Sequence, residues 1–310
     1  MDIDDHVPCG KPRFSRNLKG VRSINKIELP KEETSKIIDI ALAEDISYGD
    51  ITSEILIPPG LVAKAHILAK EEGVLAGGGL ARLVFLKVEP GLVVELLVPD
   101  GQKVRPGDIV AVITGSIAGI LKAERVALNF LSHLSGVASL TAQYVIQAQC
   151  LGVAITDTRK TLPGLRMLEK YAVLMGGGHN HRFHLGDSIL VKDNHIAALA
   201  ALGMSLADIV VRAKQNAPQG LKVEVEVSTV EEALDAVQAG VDVILLDNMS
   251  PDEMSRVVEF VPKLVKIEAS GNIRLGNVHP VAETGVSTIP VGAITHSAKA
   301  LDFSLELEPL

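Results

Sequence analysis

The sequence predicts an α/β barrel in the C-terminal half of the chain, preceded by an α+β domain. Three observations lead to it. From about residue 150, six short β-branched runs (153–157, 189–192, 223–227, 243–247, 265–270 and 288–292) alternate with helical segments such as 206–215, 230–239 and 251–260. That rhythm is the mark of a parallel sheet, and its length and monotony favour a closed barrel over a doubly wound open sheet. No G-x-G-x-x-G follows the first run, which weakens the open-sheet alternative further. Ahead of residue 150 the turn signals and strand runs are those of an antiparallel sheet decorated by helices. Finally, polar residues stand at the ends of the six C-terminal runs, where α/β barrels assemble their sites.

Taken in order, Pro30-Lys31-Glu32-Glu33 opens a helix with a proline and acids in its first turn. Ile37, Ile38, Ala41 and Leu42 form its apolar face. A polar turn at Gly49-Asp50 precedes a half-buried strand at 61–68, and Val74 to Gly77 extends after Glu71-Glu72-Gly73. A helix over 80–87 leads to strands at 92–98 and 109–114, separated by Pro99-Asp100-Gly101 and Pro106-Gly107-Asp108. That hairpin pattern resembles small biotinyl or lipoyl barrels, but no lysine sits at its tip. Residues 121–148 are helical by period, with a break expected at Gly136.

Composition narrows the function. The 310 residues carry a formal net charge of −8, 47% hydrophobic and 22% charged residues, no Trp and 3% aromatics. Nucleic-acid surfaces need a basic stripe or stacking platforms, and neither is present. No apolar run approaches the roughly 20 residues that span a bilayer. The N-terminal residues lack the apolar core of a secretory signal, and Asp2, Asp4 and Asp5 weigh against a transit peptide. The two cysteines, Cys9 and Cys150, lack metal or redox spacing, so a reducing, cytoplasmic setting is expected.

Within this acidic chain, residues 156–196 concentrate cations: Arg159, Lys160, Arg166, Lys170, Arg182 and Lys192, with four histidines and the Gly176–Gly178 triplet between them. Such a patch reads as a receptor for a small, strongly anionic ligand. Arginine offers a bidentate fork to carboxylate or phosphate, and lysine a point charge. Glu226 and Asp247, at the ends of the third and fourth runs, would hold a divalent metal or sugar hydroxyls, or stabilise a developing cation. Ser270-Gly271 and Gly292-Ala293 follow the last two runs, where barrel folds cradle phosphate with backbone N–H groups and a helix N-terminus. The ligand set is an anionic small molecule plus a phosphorylated sugar.

Two other chemistries compete. His179-Asn180-His181 has the H-x-H form of zinc hydrolases, with His195 and Asp247 as further ligands. It follows a glycine triplet, however, and is backed by Arg182, so zinc is disfavoured. Lys192 at a strand end could form a Schiff base, but its surroundings are strongly cationic. A non-catalytic sugar-phosphate binding module is the remaining alternative.

The segments AEDISYGDIT, ERVALNFLSHLSG, DTRKTLPGLRMLEKYAVLMGGGHNHR, LVKDNHI, VEVEVST, ILLDNM, EASGNI and VGAITHSAKALDFSL occur in order with sensible spacing. Together, from about Leu29 to the C-terminus, they resemble the quinolinate phosphoribosyltransferases. The resemblance implies an incomplete, TIM-like α/β barrel of the type II phosphoribosyltransferase kind (residues 129–296) behind an N-terminal α+β open sandwich (29–128 with 297–310). Residues 1–28 would be a loosely attached or disordered arm. The implied reaction joins quinolinate to phosphoribosyl pyrophosphate with Mg2+, giving nicotinate mononucleotide, pyrophosphate and CO2 for NAD biosynthesis. By the same likeness Arg159, His181, Arg182 and Lys192 bind the pyridine dicarboxylate, and Arg125 is supplied by the partner in a homodimer with a shared site. Lys160, Glu226, Asp247, Ser270, Gly271, Gly292 and His296 face the phosphoribosyl pyrophosphate, with Lys160, Glu226 and Asp247 catalytic and the two acids holding the metal. Pro290 departs from the pattern, standing where a small polar residue is more usual. A paralogue tied to molybdenum transport shares part of the signature, but the intact R-K, N-H-R and K-D-N-H set favours the quinolinate enzyme. A nicotinate-specific transferase would have no need of cations for two carboxylates.

Overall fold

A computed structural model describes residues 29–309, so the expected N-terminal arm lies outside the described residues. Helix α1 (Lys31–Ile46) begins after Pro30 with Glu32 and Glu33 in its first turn and buries Ile38 and Leu42. Helix α2 (Ile51–Leu56) is capped by Asp50, whose carboxylate accepts from the Ser53 N–H. Strand β1 (Val62–Ala69) buries every second side chain, as its alternating sequence requires. It pairs antiparallel with β5 (Ile109–Ser116) on one side. On the other side it pairs with β12 (Phe303–Pro309), the last strand of the chain, in the register Ala65↔Leu307. β3 (Val93–Leu96) completes this four-stranded sheet beyond β5, while β2 (Gly73–Val74) and β4 (Lys103–Val104) form a separate short ladder. Helix α3 (Gly78–Val88) packs on the sheet with Leu80, Ala81, Val84 and Phe85 buried.

Helix α4 (Ile117–Ala148) joins the two halves and is continuous over 32 residues, so the break expected at Gly136 does not occur. The glycine serves packing. A Cβ there would come 2.2 Å from the Lys299 carbonyl oxygen, because the returning C-terminal segment crosses the helix at this point.

The C-terminal half holds six parallel strands: β6 (Ala154–Thr156), β7 (Ile189–Val191), β8 (Val223–Val227), β9 (Val243–Asp247), β10 (Lys266–Ser270) and β11 (Thr288–Pro290). Their order is β6-β11-β10-β9-β8-β7. The helices between them are α5 (Arg166–Met175), α6 (Asp193–Ala200), α7 (Leu206–Asn216), α8 (Val230–Gln238), α9 (Pro251–Phe260), α10 (Val278–Glu283) and the single turn α11 (Ala293–His296). The reading of a closed barrel is corrected: β6 and β7 are the two edges and do not pair. The segment between α5 and β7 spans this gap, held to β6 by a bridge between Thr156 and His179. The sheet is the incomplete α/β barrel that the family resemblance implied.

Gly136→Ala would force the C-terminal crossing away from α4. The expected loss is about 1–3 kcal/mol, read as a lowered Tm in thermal denaturation; an unchanged Tm would show that the crossing can yield.

Candidate active site

Strand register decides which side chains share the concave face. Leu190 lies beside Glu224, Glu226 beside Leu245, Leu245 beside Glu268, and Asp247 beside Ser270. Since side chains alternate, Glu224 and Glu226 face inward while Val223, Val225 and Val227 are buried beneath the helices. Lys192, two residues past Leu190, ends on the inward side and caps α6, its N–H donating to His195 Nδ1 at 3.0 Å.

The cations divide into two groups. Lys170 has no solvent exposure and is paired in direct contact with the equally buried Asp157. Its Nζ also donates to the His181 carbonyl at 3.0 Å, and lies 4.8 Å from the centroid of the Phe183 ring. The same Asp157 oxygen accepts from the His181 N–H at 2.9 Å, and the Asn180 amide, turned inward, donates to the other oxygen. Burial pushes the Asp157 carboxyl up to about 6, with Lys170 the main opposing influence, and burial likewise lowers the Lys170 pKa against the pull of Asp157. Arg166 donates to the Phe183 carbonyl at 3.0 Å and to Thr161 Oγ1 at 3.1 Å. Lys170 and Arg166 therefore build the loop and do not receive a ligand, which corrects the reading of the whole run as an anion receptor. The glycine triplet is also structural: a Cβ on Gly176 would stand 2.4 Å from the Ala138 carbonyl oxygen of α4.

Arg159, His181 and Arg182 remain at the mouth. Burial, then the positive charge of Arg159, lowers the pKa of Arg182. Arg182 is tied by Nη1 to the Ser188 carbonyl at 3.2 Å, whereas the buried Arg159 Nε has no hydrogen-bond partner among the described residues. A buried donor left without a partner costs about 1–3 kcal/mol, which an arriving acceptor removes. His181 Nε2 lies 3.4 Å from Glu268 and 3.7 Å from Glu224. Burial, then Glu268, pushes Glu224 up to about 7.

Glu226 and Asp247 form a second acid pair. Burial, then Asp247, raises the Glu226 carboxyl, and Lys192 opposes the shift. Asp247 accepts from Asn248 Nδ2 at 2.7 Å, and Asn248 Oδ1 accepts from Asn272 Nδ2 at 2.9 Å, which ties the loops after β9 and β10 together. Gly271, with φ of +89°, sits against Asn248. Helix α10 begins only at Val278, so Ser270-Gly271 has no helix N-terminus beside it, against the sequence reading. On the last strand Gly292 is flanked by Lys160 and His296: its Cβ position is 3.0 Å from Lys160 Cδ and 3.1 Å from His296 Nε2. Thr295 Oγ1 donates to the Lys160 carbonyl at 2.8 Å and fixes this corner. Arg125, on α4, has a 64% exposed side chain near Glu124 and makes no contact with the mouth cations among the described residues.

Sequence reasoning passed over Asp157, Glu224 and Glu268. The V-E-V-E-V alternation could have found Glu224, because it must face the same way as Glu226. No local pattern marks Asp157 as the partner of Lys170. His179 is exposed and does not join His181, whose ring instead meets Glu224 and Glu268, so the H-x-H pair does not share one site.

The family described as "Quinolinate phosphoribosyl transferase, N-terminal domain" matches residues 50–135, and the corresponding "C-terminal domain" matches residues 137–306. A Bacillus subtilis (strain 168) protein named "Probable nicotinate-nucleotide pyrophosphorylase [carboxylating]" is 40% identical, covering 89% of this chain and 93% of its own. "Quinolinate phosphoribosyltransferase [decarboxylating] 2, mitochondrial" of Nicotiana glauca is 40% identical over 90% and 83% of the two chains. The crystal structure of NadC from Streptococcus pyogenes superposes with a TM-score of 0.87 at 40% identity, covering 91% of this chain and 99% of that one.

Removing one partner of the Asp157–Lys170 pair leaves the other charge buried and alone. Lys170→Met is expected to cost about 3–5 kcal/mol in chemical denaturation, and Asp157→Asn added to it should restore part of the loss. A double variant no more stable than Lys170→Met would show that the lysine acts through packing.

Proposed function

We infer the reaction from two premises: the chain belongs to the quinolinate phosphoribosyltransferase family, and its barrel mouth separates a cationic side from an acidic one. It transfers the phosphoribosyl group of phosphoribosyl pyrophosphate to quinolinate with decarboxylation, yielding nicotinate mononucleotide, pyrophosphate and CO2 in NAD biosynthesis. The observation that carries the assignment of roles is the buried Arg159 Nε, a donor without a partner among the described residues, on a cation whose charge also acts on Arg182. Guanidinium groups suit the carboxylates of such a ligand.

In this reading Arg159, His181, Arg182 and Lys192 hold the dicarboxylate, and Arg125 reaches the site from the partner of a homodimer. Its exposure on α4 supports that role. Lys160, Ser270, Gly271, Gly292 and His296 take the phosphates of the second substrate, on the support of the Lys160–Gly292–His296 corner. Mg2+ fits the Glu226–Asp247 pair, since the Asp247 carboxylate whose charge helps raise the Glu226 pKa offers the same charge to a divalent cation. These two residues would hold the ion, which supplies charge neutralisation for the pyrophosphate. As pyrophosphate departs, positive charge grows on the sugar, and the acid pair stabilises it through space. The pyridine nitrogen attacks from a ring fixed by its carboxylates, so orientation carries much of the rate. The resulting pyridinium then loses its adjacent carboxylate. The reading places the enzyme in the cytoplasm; no helix among the described residues is long and apolar enough to cross a membrane.

Purified protein with quinolinate, phosphoribosyl pyrophosphate and Mg2+ should yield nicotinate mononucleotide and CO2; folded protein that makes neither would sink the assignment. Arg159→Gln should raise the KM for quinolinate about 10- to 100-fold, the worth of a charged hydrogen bond. A nicotinate-specific enzyme would show almost no change. Glu226→Gln and Asp247→Asn should each lower kcat by about 100- to 1,000-fold in steady-state assays.

A further inference from the structure

Loss of a carboxyl group as CO2 leaves an electron pair behind, and in the reaction assigned above that pair rests on C2 of the pyridinium ring until a proton arrives. Resting on that function, we propose that His181 is the general acid that delivers this proton, with Glu268 the residue that positions its ring.

Chemistry narrows the choice first. Arginines such as Arg159 and Arg182 cannot release a proton in the neutral range, and Lys192 is a weak acid in water. An imidazolium both carries charge against a carboxylate and gives up its proton near neutral pH. His181 is the histidine built deepest into the mouth. Its peptide is clamped at both ends, the N–H on Asp157 and the carbonyl on Lys170, so the ring has a fixed origin.

Geometry then gives the ring a partner. Nε2 stands 3.4 Å from Glu268 Oε2 and 3.7 Å from Glu224 Oε2. Those two carboxylates are 7% and 4% exposed. Glu268 Oε2 and Glu224 Oε1 have no hydrogen-bond partner among the described residues. Buried carboxylates without donors are costly, and the imidazolium is the neighbour that answers both. With Nε2 turned to the acids, Nδ1 is the nitrogen left for the ligand, as in catalytic histidines oriented by a carboxylate.

The charges around the ring favour the cation. The Glu268 carboxylate 3.4 Å away raises the His181 pKa, burial opposes it, Glu224 adds to the rise, and Arg182 lowers it. Asp157 lies behind the peptide and Lys192 acts on Glu224. Lys222, Lys266 and Asp187 stand on the rim of the same cavity.

The step balances as follows. The bond from C2 to the carboxyl carbon breaks, CO2 leaves, and the electron pair stays on C2 beside the cationic ring nitrogen. The Nδ1–H bond breaks and its proton forms the new C2–H bond, which leaves a neutral imidazole. A cavity of about 370 Å3, lined by Asn180, His181, Arg182, Glu224 and Glu268, opens beside the ring and lets a solvent proton return to it.

The test compares wild-type protein with His181→Gln and Glu268→Gln, following pyrophosphate release, CO2 release and nicotinate mononucleotide separately. Wild-type protein that makes no mononucleotide would fail the assigned function itself. With active wild type, His181→Gln is expected to slow pyrophosphate release through weaker substrate binding and to lower mononucleotide formation about 100-fold or more beyond that. A dicarboxylated nucleotide should accumulate and exchange its C2 carboxyl with 13C-labelled CO2. Glu268→Gln leaves the ring in place and decides the matter if His181→Gln does not fold. His181 must be protonated to act, so activity is lost as pH rises through its pKa. Removing the Glu268 charge lowers that pKa, and the alkaline limb of kcat should move to lower pH. The proposal is overturned if pyrophosphate and CO2 release fall together in His181→Gln with no dicarboxylated nucleotide, or if the alkaline limb stays in place in Glu268→Gln.

Discussion

The geometry of the barrel mouth hangs on one buried ion pair, Asp157 with Lys170, neither of which has any solvent exposure. Taking two charges out of water is costly, and the attraction between them offsets that only when the remaining donors and acceptors are also satisfied. Here they are. Asp157 accepts from Lys170, the His181 N–H and the Asn180 amide, and Lys170 gives a further bond to the His181 carbonyl. The pair ties the end of β6 to helix α5 and to the segment that crosses the open edge of the barrel. An apolar pair of similar volume could fill the space but would leave the His181 peptide without partners, and the loop carrying His181 and Arg182 would lose its anchor.

That dependence explains which parts of the molecule were legible in the sequence. Alternation and turn chemistry exposed the strands and their order of appearance, because register on a pleated surface leaves a period of two. Lys170 was misread because spacing alone places it four residues from Arg166 on one helix. Nothing local says that the helix turns this face toward an aspartate thirteen residues earlier. Gly136 was misread for a related reason. A glycine within a helical period looks like a break, yet its purpose lies in a chain crossing more than 160 residues away. The open edge of the barrel was also a long-range matter, because strand pairing belongs to the whole sheet and not to any motif.

Charge is distributed against the average of the chain. A protein with a formal charge of −8 places Arg159 and Arg182 on one side of the mouth, where burial and then the charge of Arg159 lower the Arg182 pKa. Like charges held together in this way destabilise the empty fold. The loop bonds from Arg166 to Phe183 and from Arg182 to Ser188 hold them in place regardless. An anionic ligand removes the repulsion on arrival, so part of its affinity is stored in the folded protein before binding.

The acids show the complementary design. Glu224 and Glu226 lie two residues apart on β8, about 6.6 Å along the strand, facing the same way. Each has an acid partner across the sheet, Glu268 on β10 for the first and Asp247 on the adjacent β9 for the second. In the assigned reaction, positive charge appears at the sugar before negative charge appears at C2 of the ring. One acid pair, left with Lys192 as its nearby cation, suits the first event. The other pair, turned toward His181, suits the second through an imidazolium that carries a proton. A single carboxylate cluster could not serve both, because a group that favours a growing cation opposes a growing carbanion. The two-residue period of one strand separates them.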